Sequence, residues 1–356
     1  MSEFPSLNIG DLSVNPPIIQ GGMGVRVSGP NLAAAVANEG AIGIIAGVGL
    51  GKFEDYTAAK FVSVNEDSFR EAIRTARKNS NGIIGVNIMV VLSNYESLIK
   101  VAVEENVDMI ISGSGLPLSV PKHVGSKNIK LIPIVSSVRT FKIICKKWQK
   151  SYNRLPDAVV VEGVKAGGHL GFSYQELTDG TAPSLETLVS EVVEAAKEYN
   201  TDIPVIAAGG IFSGEDINKF LKLGAKGVQM ATRFVCTHEC DVNIKFKEAY
   251  LKAKKDDVSI IRSPVGMPGR VLKNSFVQEI NQGNTVPFVC KYHCLKSCDP
   301  KTAPYCIAKV LVNAADGVLE ESFAFAGVNV YKCSEIISVK ELIQKLKEEY
   351  TQVISS

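Results

Sequence analysis

The residue in this sequence best suited to proton transfer is a histidine in a glycine-rich run. His169 is one of four histidines, and Gly167, Gly168 and Gly171 surround it. Glycine allows tight backbone turns, so the imidazole can project from a loop. An imidazole with an unperturbed pKa near ~6.5 exchanges protons at neutral pH. Although loop histidines in general are more often structural or merely exposed, the place of His169 after a predicted buried strand favours a catalytic acid or base.

A second reactive pattern is a cluster of cysteines near the carboxyl terminus. Four of the eight cysteines lie in the stretch CKYHCLKSCDPKTAPYC, at Cys290, Cys294, Cys298 and Cys306. Thiols at this density in a reducing compartment are typical of zinc or iron–sulfur ligands, and His293 is a candidate replacement ligand. The spacing matches no common zinc or ferredoxin motif. The alternative is that four reduced cysteines pack as small apolar side chains.

The elements that must position these residues alternate regularly along the chain. Eight short runs rich in β-branched residues each end in glycine or a small polar residue, and segments with helical periodicity lie between them. The runs are residues 17–21, 41–46, 83–90, 108–114, 130–137, 157–163, 204–210 and 227–234. Continuous apolar runs of this length are typical of parallel strands buried on both faces. The pattern predicts an α/β fold, a (β/α)₈ TIM barrel, with a doubly wound sheet as the alternative.

The last part of the chain breaks this alternation. Residues 257–337 contain several prolines and the cysteine cluster but no repeated strand–helix unit. We therefore predict three regions: a ligand-binding barrel over residues 1–256, a long cysteine-containing lid over the barrel mouth at residues 257–337, and a C-terminal helix at residues 338–356 that closes the barrel. Apolar residues at Leu342, Ile343 and Leu346 support that helix.

The strand ends carry many residues suited to binding a nucleotide. In such barrels the active site forms where strands end and the following loops begin. The residues predicted there are Gly22, Met23, Asn87, Gly113, Glu162, Gly168, Gly209, Gly210, Gln229, Met230, Ala231 and Thr232. Glycines let the backbone approach a flat ligand, and the loops after the seventh and eighth strands are the usual phosphate site of the fold. Although any one glycine is as readily explained by a turn, together they indicate a mononucleotide such as FMN.

Composition and charge narrow the range of partners. The 39 basic and 37 acidic residues give a net charge of +2 and alternate along predicted helices, so we expect no nucleic-acid partner. The first ten residues show no signal peptide, and no apolar run approaches the ~20 residues of a membrane span. We therefore expect a cytoplasmic protein without a membrane partner, whose cysteines are reduced thiols or metal ligands. The sequence leaves a homodimer open as the assembly.

Several stretches together resemble one enzyme family. They are PPIIQGGMG (16–24), GVNIMV (85–90), SGSGLP (112–117), VEGVKAGGHLG (161–171), PVIAAGGI (204–211), GAKGVQMATRF (224–234) and SPVGMPGR (263–270). In this order they resemble the nitronate monooxygenase (2-nitropropane dioxygenase-like) family, which includes flavin-dependent enoyl-acyl-carrier-protein reductases and some NAD(P)H:quinone reductases. The pairing of AGGHLG with GVQMATRF is the most specific part of the match.

The resemblance implies a barrel with FMN at its mouth and a role for each residue at the strand ends. Gly22 and Met23 would contact the flavin, and Asn87 would hydrogen-bond its ring or ribityl chain. The residues implied to hold the ribityl chain and phosphate are Gly168, Gly209, Gly210, Gln229, Ala231 and Thr232, and Gly113, Glu162 and Met230 complete the predicted site. The family frequently has Glu where this chain has Lys165 and Gly where it has Ala231, which leaves the substrate open.

Three functions follow from this resemblance. The leading hypothesis is an FMN-dependent nitronate monooxygenase that oxidises alkyl nitronates with O₂, in which His169 deprotonates a nitroalkane. The alternative is an NAD(P)H-dependent reductase of an enoyl thioester or a quinone, in which His169 donates a proton. An iron–sulfur cluster at the cysteines would favour the reductase. A third hypothesis, from another class, is a flavin-binding protein without turnover. In the first two the partner is a small-molecule substrate.

Overall fold

The protein is a closed parallel barrel in its computed structural model, which describes residues 4–51, 57, 60–199 and 202–355. The eight barrel strands are Ile18–Gln20, Gly43–Ala46, Ile84–Asn87, Met109–Ser112, Lys130–Val135, Val159–Glu162, Val205–Ala208 and Gly227–Met230. Neighbours along the chain are neighbours in the sheet, and the eighth strand pairs with the first. A parallel bridge between Ile19 and Ile42 joins the first strand to the start of the second and closes the ring. The predicted (β/α)₈ barrel is confirmed.

Alternation along each strand divides the apolar side chains between two layers. Ile18 packs outward against the surrounding helices, whereas Ile19 packs inside the barrel. Inside the barrel the second, fourth, fifth, sixth and seventh strands also contribute branched or sulfur-containing side chains. An antiparallel hairpin, Leu7–Ile9 with Leu12–Val14, packs on the same inner cluster. Side chains therefore fill the interior of the barrel. The free space lies at the carboxyl end of the strands.

The helices form the outer ring and the C-terminal part. Their bounds are Pro30–Asn38, Phe61–Asn79, Tyr95–Glu104, Val120–Val124, Val138–Tyr152, Tyr174–Asp179, Leu185–Ala196, Gly214–Lys222, Thr232–Val235, Ile244–Lys252, Ser275–Asn281, Ile307–Ala315 and Val339–Ser355. Some helices begin with a capping side chain of their own: Ser184 accepts a hydrogen bond from the Thr187 N–H, and Ser213 forms a capping box with Asp216. Within the described part of the chain, no helix combines the length and apolar character that a membrane crossing requires.

The helix Pro30–Asn38 is capped from a distance. Its N-cap residue, Gly29, has no side chain, and the Asp241 carboxylate accepts hydrogen bonds from the N–H groups of Gly29 (2.9 Å), Asn31 (3.2 Å) and Leu32 (3.1 Å). Backbone N–H groups in the first turn of a helix have no partner within the helix. Asp241 therefore ties the loop after the eighth strand to the first helix.

We expect the substitution Asp241→Ala to lower the free energy of unfolding by about 1–3 kcal/mol, because it leaves three N–H groups, two of them partly buried, without their acceptor. Urea denaturation measures the change. Asp256→Ala is the matched control, since Asp256 is exposed. Equal unfolding midpoints for the two variants would show that the remote cap contributes nothing.

The C-terminal region is more ordered than its composition suggests. Strands Val258–Arg262 and Pro268–Leu272 form a hairpin, and Pro268–Leu272 also pairs with the two-residue strand Gly168–His169 in the loop after the sixth barrel strand. The helix Val339–Ser355 packs beside the helix Gly214–Lys222. Its Glu349 also forms an ion pair at 2.9 Å with Arg233, which lies in the helix Thr232–Val235. The region after the eighth strand thus contacts the loop that carries His169.

Candidate active site

A cavity of about 390 Å³ lies at the carboxyl end of the barrel. Its floor comes from the strand ends, and its walls come from the C-terminal region through residues such as Val265, Leu311 and Phe325. The predicted site residues that line it are Gly22, Met23, Asn87, Gly113, Glu162, Gly168, His169, Gln229, Ala231 and Thr232. Residues distant in sequence therefore meet around one enclosed space, as expected of a barrel active site.

Three predicted site residues lie outside the cavity lining. The Met230 side chain is 2% exposed and packs in the outer hydrophobic layer. Gly209 and Gly210, with φ of +97° and +87°, lie beneath the loop after the sixth strand, where an added Cβ would contact Ala166 and Lys165. Ten of the thirteen predicted residues therefore line the cavity, and these three do not.

His169 is half-buried in the cavity wall. Its ring meets the Phe325 ring edge-on, with centroids 4.9 Å apart, and its Nε2 lies 2.8 Å from the Ser263 Oγ. Antiparallel pairing of His169 with Gly269 fixes the backbone beneath the ring. Burial disfavours the charged imidazolium and lowers the pKa of His169 to about 4. The ring is therefore neutral at physiological pH and suited to accept a proton.

Ser263 occupies one ring nitrogen of His169. The Ser263 hydroxyl contacts Nε2 and also accepts a hydrogen bond from the Val265 N–H at 3.3 Å. In the tautomer that carries its hydrogen on Nε2, the ring donates that hydrogen to the Ser263 Oγ. The lone pair that can accept a proton from a substrate is then on Nδ1. Ser263 was not among the residues predicted from sequence, although its motif SPVGMPGR was noticed. Nothing in the sequence indicated its contact with a histidine 94 positions earlier.

We expect Ser263→Ala to lower kcat for a proton-abstraction substrate roughly 10-fold with little change in KM, because one hydrogen bond that orients the imidazole is lost. Ser263→Thr retains the hydroxyl and should restore most of the rate. Steady-state kinetics of both variants distinguish positioning from packing. If Thr and Ala variants were equally impaired, the hydroxyl would have no orienting role.

Glu162 is a second titratable group in the cavity. It ends the sixth barrel strand, and burial raises the pKa of its carboxyl to about 7. A carboxyl with this pKa is present in both protonation states near neutrality. Glu162 and His169 thus have pKa values shifted in opposite directions by the same enclosed environment. The pair supplies one group able to donate a proton and one able to accept it.

The cavity also fits a flat, polar cofactor. Gly22 faces Asn87 so closely that an added Cβ would lie 2.3 Å from the Asn87 Cβ, and a Cβ on Gly168 would meet no atom within 4 Å. The buried Oε1 of Gln229 accepts no hydrogen bond within the described residues. The glycine-lined space can accommodate a flat flavin ring. The N–H group at the edge of that ring could donate a hydrogen bond to the Gln229 Oε1. The residues present therefore fit FMN.

A buried arginine supports the loop that carries His169. The Arg270 guanidinium donates hydrogen bonds to the carbonyls of Val164 and Ala166, the second at 2.8 Å. Burial lowers the pKa of Arg270 to about 10, so the group is still cationic at neutral pH. Among the described residues it has no carboxylate within ion-pair distance. Its charge therefore adds positive potential beside the cavity, which favours an anionic ligand.

The predicted metal ligands Cys290, Cys294, Cys298 and Cys306 do not close around an ion. Across the described residues, no group of three or more His, Cys, Asp or Glu side chains is arranged to hold a metal ion. All four are free thiols, and Cys294 lines the cavity. Of the four cysteines, only Cys294 is among the residues that line the cavity.

A model of the nitronate monooxygenase family matches residues 6–349. The chain belongs to this family. Members of the nitronate monooxygenase family are oxidoreductases, which agrees with an enclosed cavity that fits FMN beside a neutral histidine. The resemblance found in the sequence motifs is therefore confirmed.

The proteins most relevant for comparison are named for different activities. The chain is 30% identical to (3aS,4S,5R,7aS)-5-hydroxy-7a-methyl-1-oxo-octahydro-1H-indene-4-carboxyl-CoA dehydrogenase of Rhodococcus jostii, over 77% of this chain and 67% of the relative. It is 28% identical to a probable nitronate monooxygenase of Staphylococcus aureus, over 76% and 79%. Its structure is similar to that of FabK from Thermotoga maritima, with a TM-score of 0.75, 30% identity and coverage of 96% and 94%.

A further structural neighbour is nitroalkane oxidase from Streptomyces ansochromogenes, with a TM-score of 0.75, 23% identity and coverage of 96% and 97%. At that identity the likeness shows the shared fold alone. The family's shared oxidoreductase character is clear, and the substrate has to be argued from the site.

Proposed function

We propose that this protein is an FMN-dependent nitronate monooxygenase that accepts nitroalkanes through deprotonation by His169. The observation that carries the proposal is the half-buried, neutral imidazole, whose pKa is lowered to about 4 and whose Nε2 contacts the Ser263 Oγ at 2.8 Å. At neutral pH such a ring is in the unprotonated form that a general base needs, and it rarely holds a proton to donate. This asymmetry favours the base role over the proton-donor role required of a reductase.

The chain's own residues would act in a defined order. The apolar walls exclude water. Arg270 holds the loop that carries His169 through the Val164 and Ala166 carbonyls. The Nδ1 of His169 takes the proton from the carbon next to the nitro group, and the resulting imidazolium donates its Nε2–H to Ser263. Gly22, Asn87, Gly168 and Gln229 would hold FMN, which when bound supplies the electron acceptor for nitronate oxidation by O₂.

The pH dependence tests this assignment. We expect kcat/KM for a nitroalkane to rise with pH through about 4 and to be flat through 6.5 and neutrality, because only neutral His169 accepts a proton and burial lowers its pKa from 6.5 to about 4. The active form is therefore complete above the lowered pKa and lost below it. An inflection close to 6.5 would mean that His169 is solvated in the working enzyme.

A reductase of enoyl thioesters that uses NAD(P)H is the second candidate. One structural feature favours it: the cavity wall formed by Ile307, Leu311 and Val312 on the helix Ile307–Ala315, with Phe323, is apolar and suits an acyl chain. Two relatives at 30% identity, FabK and the Rhodococcus jostii CoA-thioester dehydrogenase, are consistent with such a substrate. In this case Glu162, with its pKa raised to about 7, is the better proton donor.

Anaerobic mixing distinguishes the two functions. Purified protein loaded with FMN is mixed with NADH, NADPH, a nitroalkane or a preformed propyl nitronate, and the visible flavin absorbance is followed in a stopped-flow instrument. We expect the nitro compounds to bleach the flavin and the nicotinamides to leave it oxidised. Fast bleaching by a nicotinamide, with no response to either nitro compound, would replace the monooxygenase proposal with the reductase. Inertness towards all four would favour a flavin-binding protein without turnover.

A further inference from the structure

Tyr305 is a buried tyrosine that lies close to the cavity without lining it. Its side chain is 1% exposed, it is not among the cavity residues, and the helix Ile307–Ala315 begins two positions later. A ring that only filled space here could be a phenylalanine, because burying a hydroxyl costs free energy unless the hydroxyl finds a hydrogen-bond partner. The partner of the Tyr305 hydroxyl therefore indicates what this tyrosine does beyond packing.

The hydroxyl of Tyr305 holds the backbone directly before Ser263. It donates a hydrogen bond to the Arg262 carbonyl at 3.3 Å. Within the C-terminal hairpin Arg262 is paired with Pro268, which has no N–H group. The tyrosine thus supplies a donor to a carbonyl whose opposite residue cannot supply one. The next residue along the chain is Ser263, whose Oγ lies 2.8 Å from the His169 Nε2.

Ser263 begins a tight turn, and the position of this turn decides its contact with His169. The Gly266 N–H donates to the Ser263 carbonyl at 2.9 Å, and the Val265 N–H donates to the Ser263 Oγ at 3.3 Å. These bonds are internal to the turn and set its shape, whereas the bond from Tyr305 connects the start of the turn to a residue 43 positions away. Burial raises the pKa of the Tyr305 hydroxyl, and a hydrogen bond with the Ser263 side chain opposes part of that rise.

The ring of Tyr305 reaches His169 by a second route. It meets the Phe323 ring edge-on, with centroids 5.8 Å apart. Phe323 meets the Phe325 ring at 5.4 Å, and Phe325 meets the His169 ring at 4.9 Å. Edge-to-face pairs at these separations are favourable. The imidazole is therefore held at its Nε2 and against its ring by two contacts, and both of them connect to Tyr305.

We propose that Tyr305 is a positioning residue for His169. Its hydroxyl holds Ser263 against the imidazole, and its ring holds Phe325 there by way of Phe323. Because Tyr305 does not line the cavity, it acts on the reaction only through these neighbours. A base that takes a proton from carbon has to be held close to one orientation, so the loss of an orienting contact lowers the rate of the chemical step more than substrate binding.

The substitution Tyr305→Phe tests the hydroxyl alone, because it retains the ring and its contacts. This kinetic test rests on the proposed function, in which His169 is the base. With FMN-loaded protein we expect kcat for a nitroalkane to fall roughly 3- to 10-fold with KM nearly unchanged, the effect of one lost hydrogen bond. An unchanged kcat in Tyr305→Phe, in a protein that oxidises nitroalkanes, would overturn the positioning role.

Tyr95→Phe is the matched control for this substitution. The Tyr95 side chain is 2% exposed and outside the cavity lining, and its hydroxyl donates a hydrogen bond of the same length, 3.3 Å, to the Ser112 Oγ. Both variants therefore lose one buried hydroxyl and one hydrogen bond, and urea denaturation should show similar losses of stability. Only Tyr305→Phe should lower kcat, so equal kcat values for the two variants would contradict the proposal.

A double-mutant cycle shows whether the hydroxyl of Tyr305 acts through Ser263. In a Ser263→Ala background we expect Tyr305→Phe to lower kcat by less than about 2-fold, because the hydroxyl that Tyr305 positions is already absent. The same 3- to 10-fold effect in both backgrounds would mean that the two residues act independently. Tyr305 would then contribute by packing, and the proposal would be wrong.

A measurement without substrate separates this proposal from the proposed function. In protein with isotope-labelled histidine, the nitrogen chemical shifts of the imidazole show which ring nitrogen carries the hydrogen, and His169→Ala identifies the signal among the four histidines. At neutral pH we expect a single tautomer of His169 in the wild type and in Tyr95→Phe. We expect a mixture of tautomers in Tyr305→Phe, because a loosened Ser263 no longer fixes the hydrogen on one nitrogen.

The two kinds of measurement fail in different ways. A single tautomer that is unchanged in Tyr305→Phe would overturn the positioning role, whether or not the protein oxidises nitroalkanes. A tautomer mixture in Tyr305→Phe, from a protein that shows no nitroalkane oxidation at all, would support the positioning role and reject the proposed function.

Discussion

Replacing His169 with alanine is expected to lower kcat/KM for a nitroalkane by about 10²- to 10⁴-fold, the usual contribution of a positioned general base. The reason is the neutral Nδ1 of a ring held by Ser263 and Phe325. The same variant should oxidise a preformed nitronate within roughly 10-fold of the wild-type rate, because that substrate has already lost its proton. Steady-state oxygen uptake with the two substrates measures both values on one preparation.

The comparison of the two substrates makes the experiment independent of folding. A variant that had lost FMN or its structure would fail with both substrates, whereas loss of a base affects only the nitroalkane. His238→Ala is the control substitution, since His238 is exposed and outside the cavity lining. Equal loss on both substrates would assign His169 to binding. Full activity of His169→Ala on the nitroalkane would remove the acid–base role and with it the main support for the monooxygenase proposal.

The barrel could be predicted from sequence because its strands carry a purely local signal. Each is buried on both faces, so a continuous apolar run such as residues 131–135 is sufficient to identify it, and the glycine or small polar residues that follow indicate where it ends. A helix start that carries its own capping residue, such as Ser184, can likewise be identified from the local sequence. The cap of Pro30–Asn38 was not, because its carboxylate belongs to Asp241, far along the chain.

The candidate site likewise contains residues that the sequence can identify and residues that it cannot. Residues that end a strand, such as Asn87 and Glu162, reach the cavity because the strand's direction carries them there. Met230 also ends a strand, but alternation turns its side chain outward, which a listing of strand ends does not reveal. The partners of His169 come from the C-terminal hairpin and from Phe325, so sequence reasoning could identify the histidine but not what sets its pKa.

The FMN assignment has its own test at Gly168. Its φ of +84° is in the left-handed region, and an added Cβ would lie in open cavity space with no atom within 4 Å. Gly168→Ala therefore leaves every described contact intact and costs the protein about 1–2 kcal/mol of backbone strain. Any further effect has to come from the molecule that fills the cavity. If FMN occupies this space, the added methyl group collides with the cofactor.

We expect Gly168→Ala to raise the Kd for FMN roughly 10- to 100-fold, which corresponds to about 1–3 kcal/mol of overpacking. Gly180→Ala is the matched control: Gly180 has a φ of +67°, an added Cβ there also meets nothing within 4 Å, and it lies outside the cavity lining. Both variants should lose similar stability in urea without FMN, and only Gly168→Ala should bind FMN weakly in a fluorescence titration of the apoprotein. Identical FMN affinity in the two variants would mean that the flavin lies elsewhere, and His169 would then need another reaction partner in its cavity.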